Sequence, residues 1–414
     1  MRVFLYELRK IWNLKAVLII SALGALAYFA LSYGLIASYN EGHYSTGYYV
    51  SEMFRRYGAT LDAEEYADFD FAGRKAELER EITELIAEYP VFAEYGVETL
   101  EDYERVSGEI WEEHTVRNPD GSGYLPDPWI SELQEMSFLI NDLNGPYFKL
   151  MNLTTVEEYY NPLDKEYAVS WYVSPESENG NSYRPAQLRR AEAFAARPEV
   201  DLIPYNLTTT FSAFAMVVLI FSVGASVILA APAVVTDRQR KVFALQYSSQ
   251  KGRRVFTAQT AAALFSAFAL TLALVAASYA AFLTQTDASD YLGVRITSTL
   301  MSFYMWDFTL LQYFLLLAGM TVSVAAGAAG LAFVLARHSN SVVTLMLKAA
   351  PAAAGCAALG ALAVNYATSN WNYVFGEIFN GKRDLPEVWV CAALAVAGLI
   401  PAVVTAVRER RLDV

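Results

Sequence analysis

The chain is poor in the side chains that do chemistry. It has two cysteines, Cys356 and Cys391, and three histidines, His43, His114 and His338, in 414 residues. Both cysteines fall inside apolar runs, so no disulfide framework is available and they are read as small packing residues. The histidines are scattered, and neither an H-E-x-x-H zinc motif nor a G-x-S-x-G nucleophile elbow occurs. The sequence therefore offers no catalytic set and no metal-ligand set. One apparent phosphate loop, GEIFNGKR at 376–383, ends in Arg383 where Ser or Thr would be needed to hold magnesium, and it does not lie between a strand and a helix.

Charge is absent from long stretches. Residues 16–37, 211–235, 255–283, 308–336, 342–366 and 388–407 contain one charged side chain between them, Lys348. Each is about 20 residues or longer, the length at which a helix rising ~1.5 Å per residue crosses ~30 Å of hydrocarbon. The expected fold is an all-α polytopic membrane protein with six transmembrane helices. The first run is too long for the apolar core of a cleaved leader and is read as a retained span.

The net charge of −13 is unevenly distributed. Residues 40–207, between the first two spans, hold 34 acids and 13 bases, and the rest of the chain is net basic. Nucleic-acid binding is not expected where the only large soluble segment is this acidic. The surplus serves either as a solvated surface or to steer cationic ligands. Residues 74–89 carry Leu78, Ile82, Leu85 and Ile86 on one helical face, and Pro90 ends the pattern. Helices are also expected at 98–114, 129–144 and 187–196, with a loop at 118–128, and Trp111, Trp129, Trp171 and the tyrosines are candidates for the core. Asn152 and Asn206 lie in glycosylation sequons, which would matter only in a eukaryotic secretory protein.

Lys and Arg are biased to one side of the six spans. The N-terminus, residues 236–254, the loop at 337 and the tail hold fourteen, whereas the short loops opposite hold Arg295, Lys382 and Arg383. The positive-inside rule then places both termini and residues 236–254 in the cytoplasm, and the acidic domain outside, on a multi-pass protein of the cell membrane. Residues 1–15 place Phe4, Leu8, Ile11 and Trp12 on one face, which suits an interfacial helix lying along the inner leaflet; a frayed leader is the alternative. Lys348, about six residues into the fifth span, either snorkels to the interface or lines a pathway. Small residues at four-residue spacing, Gly319, Ser323 and Gly327 in the fourth span and Ala352, Cys356 and Gly360 in the fifth, predict close helix approach.

Residues 236–254 have a largely apolar centre, 242–247, between basic flanks. Val242, Leu245 and Gln246 would share one side of a short helix, beside Phe243 and Tyr247. Such a helix suits docking on a soluble partner, or simple interfacial anchoring. The longer run TDRQRKVFALQYSSQKGRRVFTAQTAAALF, 236–265, resembles the corresponding loop of bacterial ABC type-2 permeases. Asp237, Leu245, Ser248, Ser249, Gly252 and Arg253 take the positions of that loop's acid, helix leucine, small-polar pair and Gly-basic step. Gln259 stands where lysine is usual, and Lys241-Val242 replaces a frequent Gly-Thr. The layout is similar too, with an amphipathic N-terminal helix, six spans and a large external insert after the first; residues 371–379 resemble that family's external re-entrant helices, or an aromatic interface belt.

The resemblance implies a non-catalytic permease subunit, working as an exporter. It implies a second permease, identical or different, and separate cytoplasmic ATP-binding subunits that carry the ATP and magnesium, this chain binding no cofactor itself. Coupling would run through Asp237, Lys241, Leu245, Tyr247, Gly252 and Arg253, with Lys348 as a pathway candidate. The competing expectation is a sensor or resistance module whose external domain binds a ligand without net transport.

Overall fold

The computed structural model describes residues 2–41, 46–118, 122–127, 129–140, 145–165, 192–240, 250–296, 307–365, 367 and 385–411. The chain divides into two compact units, Met1–Asn40 with Tyr205–Val414, and Glu41–Pro204.

The first unit begins with α1 (Arg2–Ile11). Asn13 then caps α2 (Leu14–Ala27), its side chain accepting from the Ala16 amide at 2.9 Å. A π segment, Tyr28–Ser32, joins α2 to α3 (Tyr33–Glu41) within one continuous span, Leu14–Glu41.

The second unit is mostly helical: α4 (Thr46–Tyr57), α5 (Ala63–Asp68), α6 (Phe71–Glu88), α7 (Pro90–Glu94), α8 (Leu100–His114), α9 (Trp129–Ile140) and α10 (Pro146–Tyr159). β1 (Thr60–Leu61) pairs antiparallel with β4 (Val200–Asp201), tying the unit's beginning to its end, and the Tyr160 hydroxyl donates to the Ile203 carbonyl at 2.6 Å. The expected loop at 118–128 is partly a hairpin: β2 (Val116–Arg117) pairs with β3 (Gly123–Tyr124). The periodicity of α6 is realised, with Leu78, Ile82 and Ile86 buried and Leu85 half-buried, and Pro90 opens α7. The tryptophan core is not. Trp111 is half exposed, Trp129 stacks its ring on His114 with centroids 3.8 Å apart, and Trp171 lies outside the described residues. Met53, Leu61, Ile82, Phe92, Met136, Ile140, Leu153 and Val156 are buried instead, together with Tyr49, Tyr103 and Tyr160 of the expected tyrosines. An indole carries a polar N–H and is hard to bury completely, so aliphatic side chains and phenylalanine take the driest positions.

The chain returns to the first unit at α11 (Tyr205–Ala230), which breaks at Ala231-Pro232 into α12 (Pro232–Gln239), since proline lacks the amide that would continue the ladder. There follow α13 (Gln250–Gln285), α14 (Leu310–Arg337), α15 (Val342–Asn365) and α16 (Pro386–Arg411). Among the described residues six helices are long and apolar enough to cross a membrane: α2 to α3, α11 to α12, most of α13, α14, α15 and most of α16. α13 starts earlier than its apolar run and α12 ends later, so the connector between them is shorter than 236–254. Gly252 lies inside the first turns of α13 and does not break it. α14 starts later than its apolar run because Thr309 and Gln312 form a capping box there.

α14 is the hub and packs on α11, α13, α15 and α16. Its closest crossing is with α16. A Cβ added at Gly398 would sit 1.8 Å from the Gly327 carbonyl oxygen, and one at Gly330 would sit 2.6 Å from the Gly398 oxygen. The expected small-residue faces are thus used unequally. Gly327 meets α16 and Gly360 meets Val324 and Leu219, whereas Gly319 has open space beside it. At one end of this bundle, Phe211, Phe214, Phe282 and Phe314 form a buried aromatic cluster. Nearby, the Tyr39 hydroxyl donates to Asp287 at 2.5 Å. The opposite end holds α1, the end of α12, the start of α13 and the α14–α15 turn; it is called the basic end below.

Candidate functional site

At the basic end, five segments contribute to one buried polar network. α1 lies along α13: Phe4 meets Phe265 edge-on at 6.0 Å, and the Trp12 indole donates to Ser266 Oγ at 3.0 Å. This turns Glu7 and Lys10 inward; Glu7 and Ile11 are buried while Leu5 and Tyr6 on the other side are exposed. Lys10 Nζ forms a close ion pair with Asp237, in the last turn of α12, and stands 3.5 Å from Glu7 Oε2.

Gln259, about one turn into the apolar part of α13, continues the chain of contacts. Its amide donates to Asp237 Oδ2 at 2.8 Å, and its carbonyl oxygen accepts from Arg337 Nη2 at 3.1 Å. The Arg337 guanidinium, at the end of α14, lies 3.2 Å from Glu409 of α16 and over the rings of Phe256 and Phe333. Arg238 Nη1 donates to the Ser339 carbonyl at 3.2 Å. Asp237, Gln259 and Arg337 are each at most 5% exposed. Groups so buried are tolerated best when paired and hydrogen-bonded. Asp237 and Gln259 are hydrogen-bonded, and Arg337 is held by its Nη2 bond to Gln259 and by the charge of Glu409, a contact that has ion-pair distance but not hydrogen-bond geometry. Glu7 sits between its burial, which pushes its carboxyl above the ordinary value, and Lys10, which opposes that push; the negative charge of Asp237 adds to the rise.

The network joins the two helices that flank the 240–249 connector. Asp237 closes the helix before it and Gln259 belongs to the helix after it, and the hydrogen bond between them makes the two legs one body. Through Lys10, Arg337 and Glu409 the same body includes α1, α14 and α16. A displacement of either leg would have to move the others or break these contacts.

Of the residues singled out in the sequence, Asp237 lies in this network. Lys241, Leu245 and Tyr247 lie outside the described residues. Gly252 and Arg253 lie on the first turns of α13. Lys348 is not part of the network; its Nζ donates to the His338 carbonyl at the α14 terminus at 3.0 Å. Residues 371–383 lie outside the described residues. Glu7, Lys10, Arg337 and Glu409 were not singled out by sequence reasoning as site residues. Gln259 stood out only as a departure from a resembled pattern. Comparison with protein-family models, curated proteins and solved structures found no match.

Proposed function

We propose that the chain is the permease subunit of an ATP-driven transporter, an exporter, whose 240–249 connector engages a separate cytoplasmic ATP-binding subunit. The observation that carries this reading is the Asp237–Gln259–Arg337 chain. A connector that receives a push is useful only if its two legs are fastened to each other and to the remaining spans, and the contacts of Asp237, Gln259 and Arg337 support such a fastening. Gln259 occupies the position where the resemblance leads one to expect lysine, and here Lys10 from α1 brings the ammonium to Asp237 instead. The apolar centre of the connector with basic flanks supplies the docking chemistry.

On this reading the basic end faces the cytoplasm with both termini, as the lysine and arginine bias requires, and the acidic unit between the first two spans lies outside the cell. A second permease, identical or different, completes the pathway, and ATP and magnesium belong to the partner. Sidedness is the first test. A Lys251→Cys variant, treated in intact cells with a membrane-impermeant maleimide, should react only after the membrane is opened. Reaction in intact cells would invert the topology and remove the proposal.

A further inference from the structure

Between the first, second and third spans lies a cavity of about 380 Å³, within the ~300–1,000 Å³ range of ligand pockets. Its wall on the first span runs from Val17 to Ser32 at helical spacing, roughly 22 Å along the helix axis at ~1.5 Å per residue. The facing walls include Val218 and Phe221 of α11 and Leu270 and Leu274 of α13. Among the described residues no charged side chain lines it; its polar groups are the Trp12 and Tyr28 tips and the hydroxyls of Ser21, Ser32 and Ser278. The space is therefore a long, narrow, apolar slot lying parallel to the spans.

Three features mark the slot as built for an occupant. Gly24 keeps the first span against Phe221, where an added Cβ would come within 3.0 Å of the ring and narrow the slot. The π segment Tyr28–Ser32 re-aims the wall at one end, with the Tyr28 hydroxyl held by Gln285 at 2.8 Å, and π segments concentrate at functional positions. Trp12, tied to Ser266, closes the slot at the basic end, where an indole suits the boundary between hydrocarbon and headgroups. Only 6% of the first span's apolar window is buried, which leaves its remaining faces open to hydrocarbon chains in a bilayer.

We propose that the slot holds one acyl chain of a membrane phospholipid, extended along the first span with its headgroup beside Trp12. The absence of lining charge excludes an ionic ligand, since a charge there would be desolvated without a partner. At the ~30 Å³ that a water occupies in the liquid, a size near that of a methylene, the volume accommodates on the order of a dozen such groups, which is one chain and not a folded ligand. The proposal depends on the chain being membrane-embedded and not on the transport reading.

The test uses the full chain in vesicles of phosphatidylcholine and phosphatidylglycerol, doped with a phosphatidylcholine that carries a diazirine midway along one acyl chain. After photolysis, adducts should concentrate on Gly24, Val218, Phe221 and Leu270. Ala27→Trp and Ser278→Leu, which fill the slot from two helices, should each lower that labelling by roughly tenfold, while Val343→Trp on the exposed side of α15 should not. Elution and helix content identify any variant that fails to fold, and either filled variant suffices. Uniform labelling of exposed faces, unchanged by slot-filling, would overturn the proposal. So would an unlabelled slot together with disulfide cross-linking of two Ala27→Cys chains, which would assign the slot to a second copy.

Discussion

The Gln259 amide donates to Asp237 Oδ2 across 2.8 Å, and the same side chain accepts from Arg337 on its other side. One neutral side chain therefore bridges an acid and a base that belong to different spans. Replacing it with leucine keeps the volume and removes both bonds. Gln259→Leu should lower the thermal stability of the purified protein by about 1–3 kcal/mol, the cost of leaving buried polar partners unsatisfied. A loss no larger than that of an exposed substitution would mean the bridge is not made.

Asp237 and Lys10 should behave as a unit. Asp237→Ala leaves the Lys10 ammonium partly buried without its closest partner, and should cost about 3 kcal/mol. In a double-mutant cycle with Lys10→Ala, the two losses should fall short of additivity by about 0.5–3 kcal/mol. Additive losses would place the two side chains apart.

Glu7 gives a pH signature. Its folded carboxyl holds its proton above the ordinary value of 4.5, chiefly because it is buried. Below the unfolded value both states are protonated and the group is neutral to stability. As pH rises through the raised folded value, the native state must release a proton that it binds more tightly than the unfolded chain does, and stability falls. Glu7→Gln removes that fall. Its stability relative to the parent should therefore rise from pH 4.5 towards neutrality and then level off. A difference that is flat with pH would contradict the burial of Glu7.

The α14–α16 crossing has no space for side chains. Gly398→Leu would force a Cβ against the Gly327 carbonyl, which lies 1.8 Å from where it would stand. The loss should be at least the ~1–3 kcal/mol typical of overpacking. Gly355→Ala, with open space around it, should be neutral or stabilising by roughly 0.5–1 kcal/mol through helix propensity. Thermal unfolding in detergent separates the two cases.

The six long helices were legible because crossing hydrocarbon is a local demand, met by each run of residues on its own. Helix ends were less so, since Thr309 and Pro232 decide them by capping and by a missing amide. The polar network was almost illegible. Arg337 and Lys10 looked like two of many basic residues at span ends, and Glu7 looked like the polar side of an amphipathic helix. Their partnership exists only once α1 lies on α13 and α14 lies beside both, which no short stretch encodes. Asp237 stood out through a resemblance, and Gln259 through departing from it. The tryptophan core failed for a simpler reason: Trp111 is large and amphipathic, and Met53, Ile82 and Leu153 fill dry space at lower cost.

On the proposed function, the 240–249 connector grips a separate motor. The direct measurement is purification of the full chain from its native membranes, alongside Leu245→Asp, with ATP hydrolysis assayed in each eluate. The parent should carry an ATP-binding subunit and its activity, and Leu245→Asp should fold, reach the membrane and lose both. A parent that purifies without any ATP-hydrolysing partner, or a variant that retains one undiminished, would contradict it.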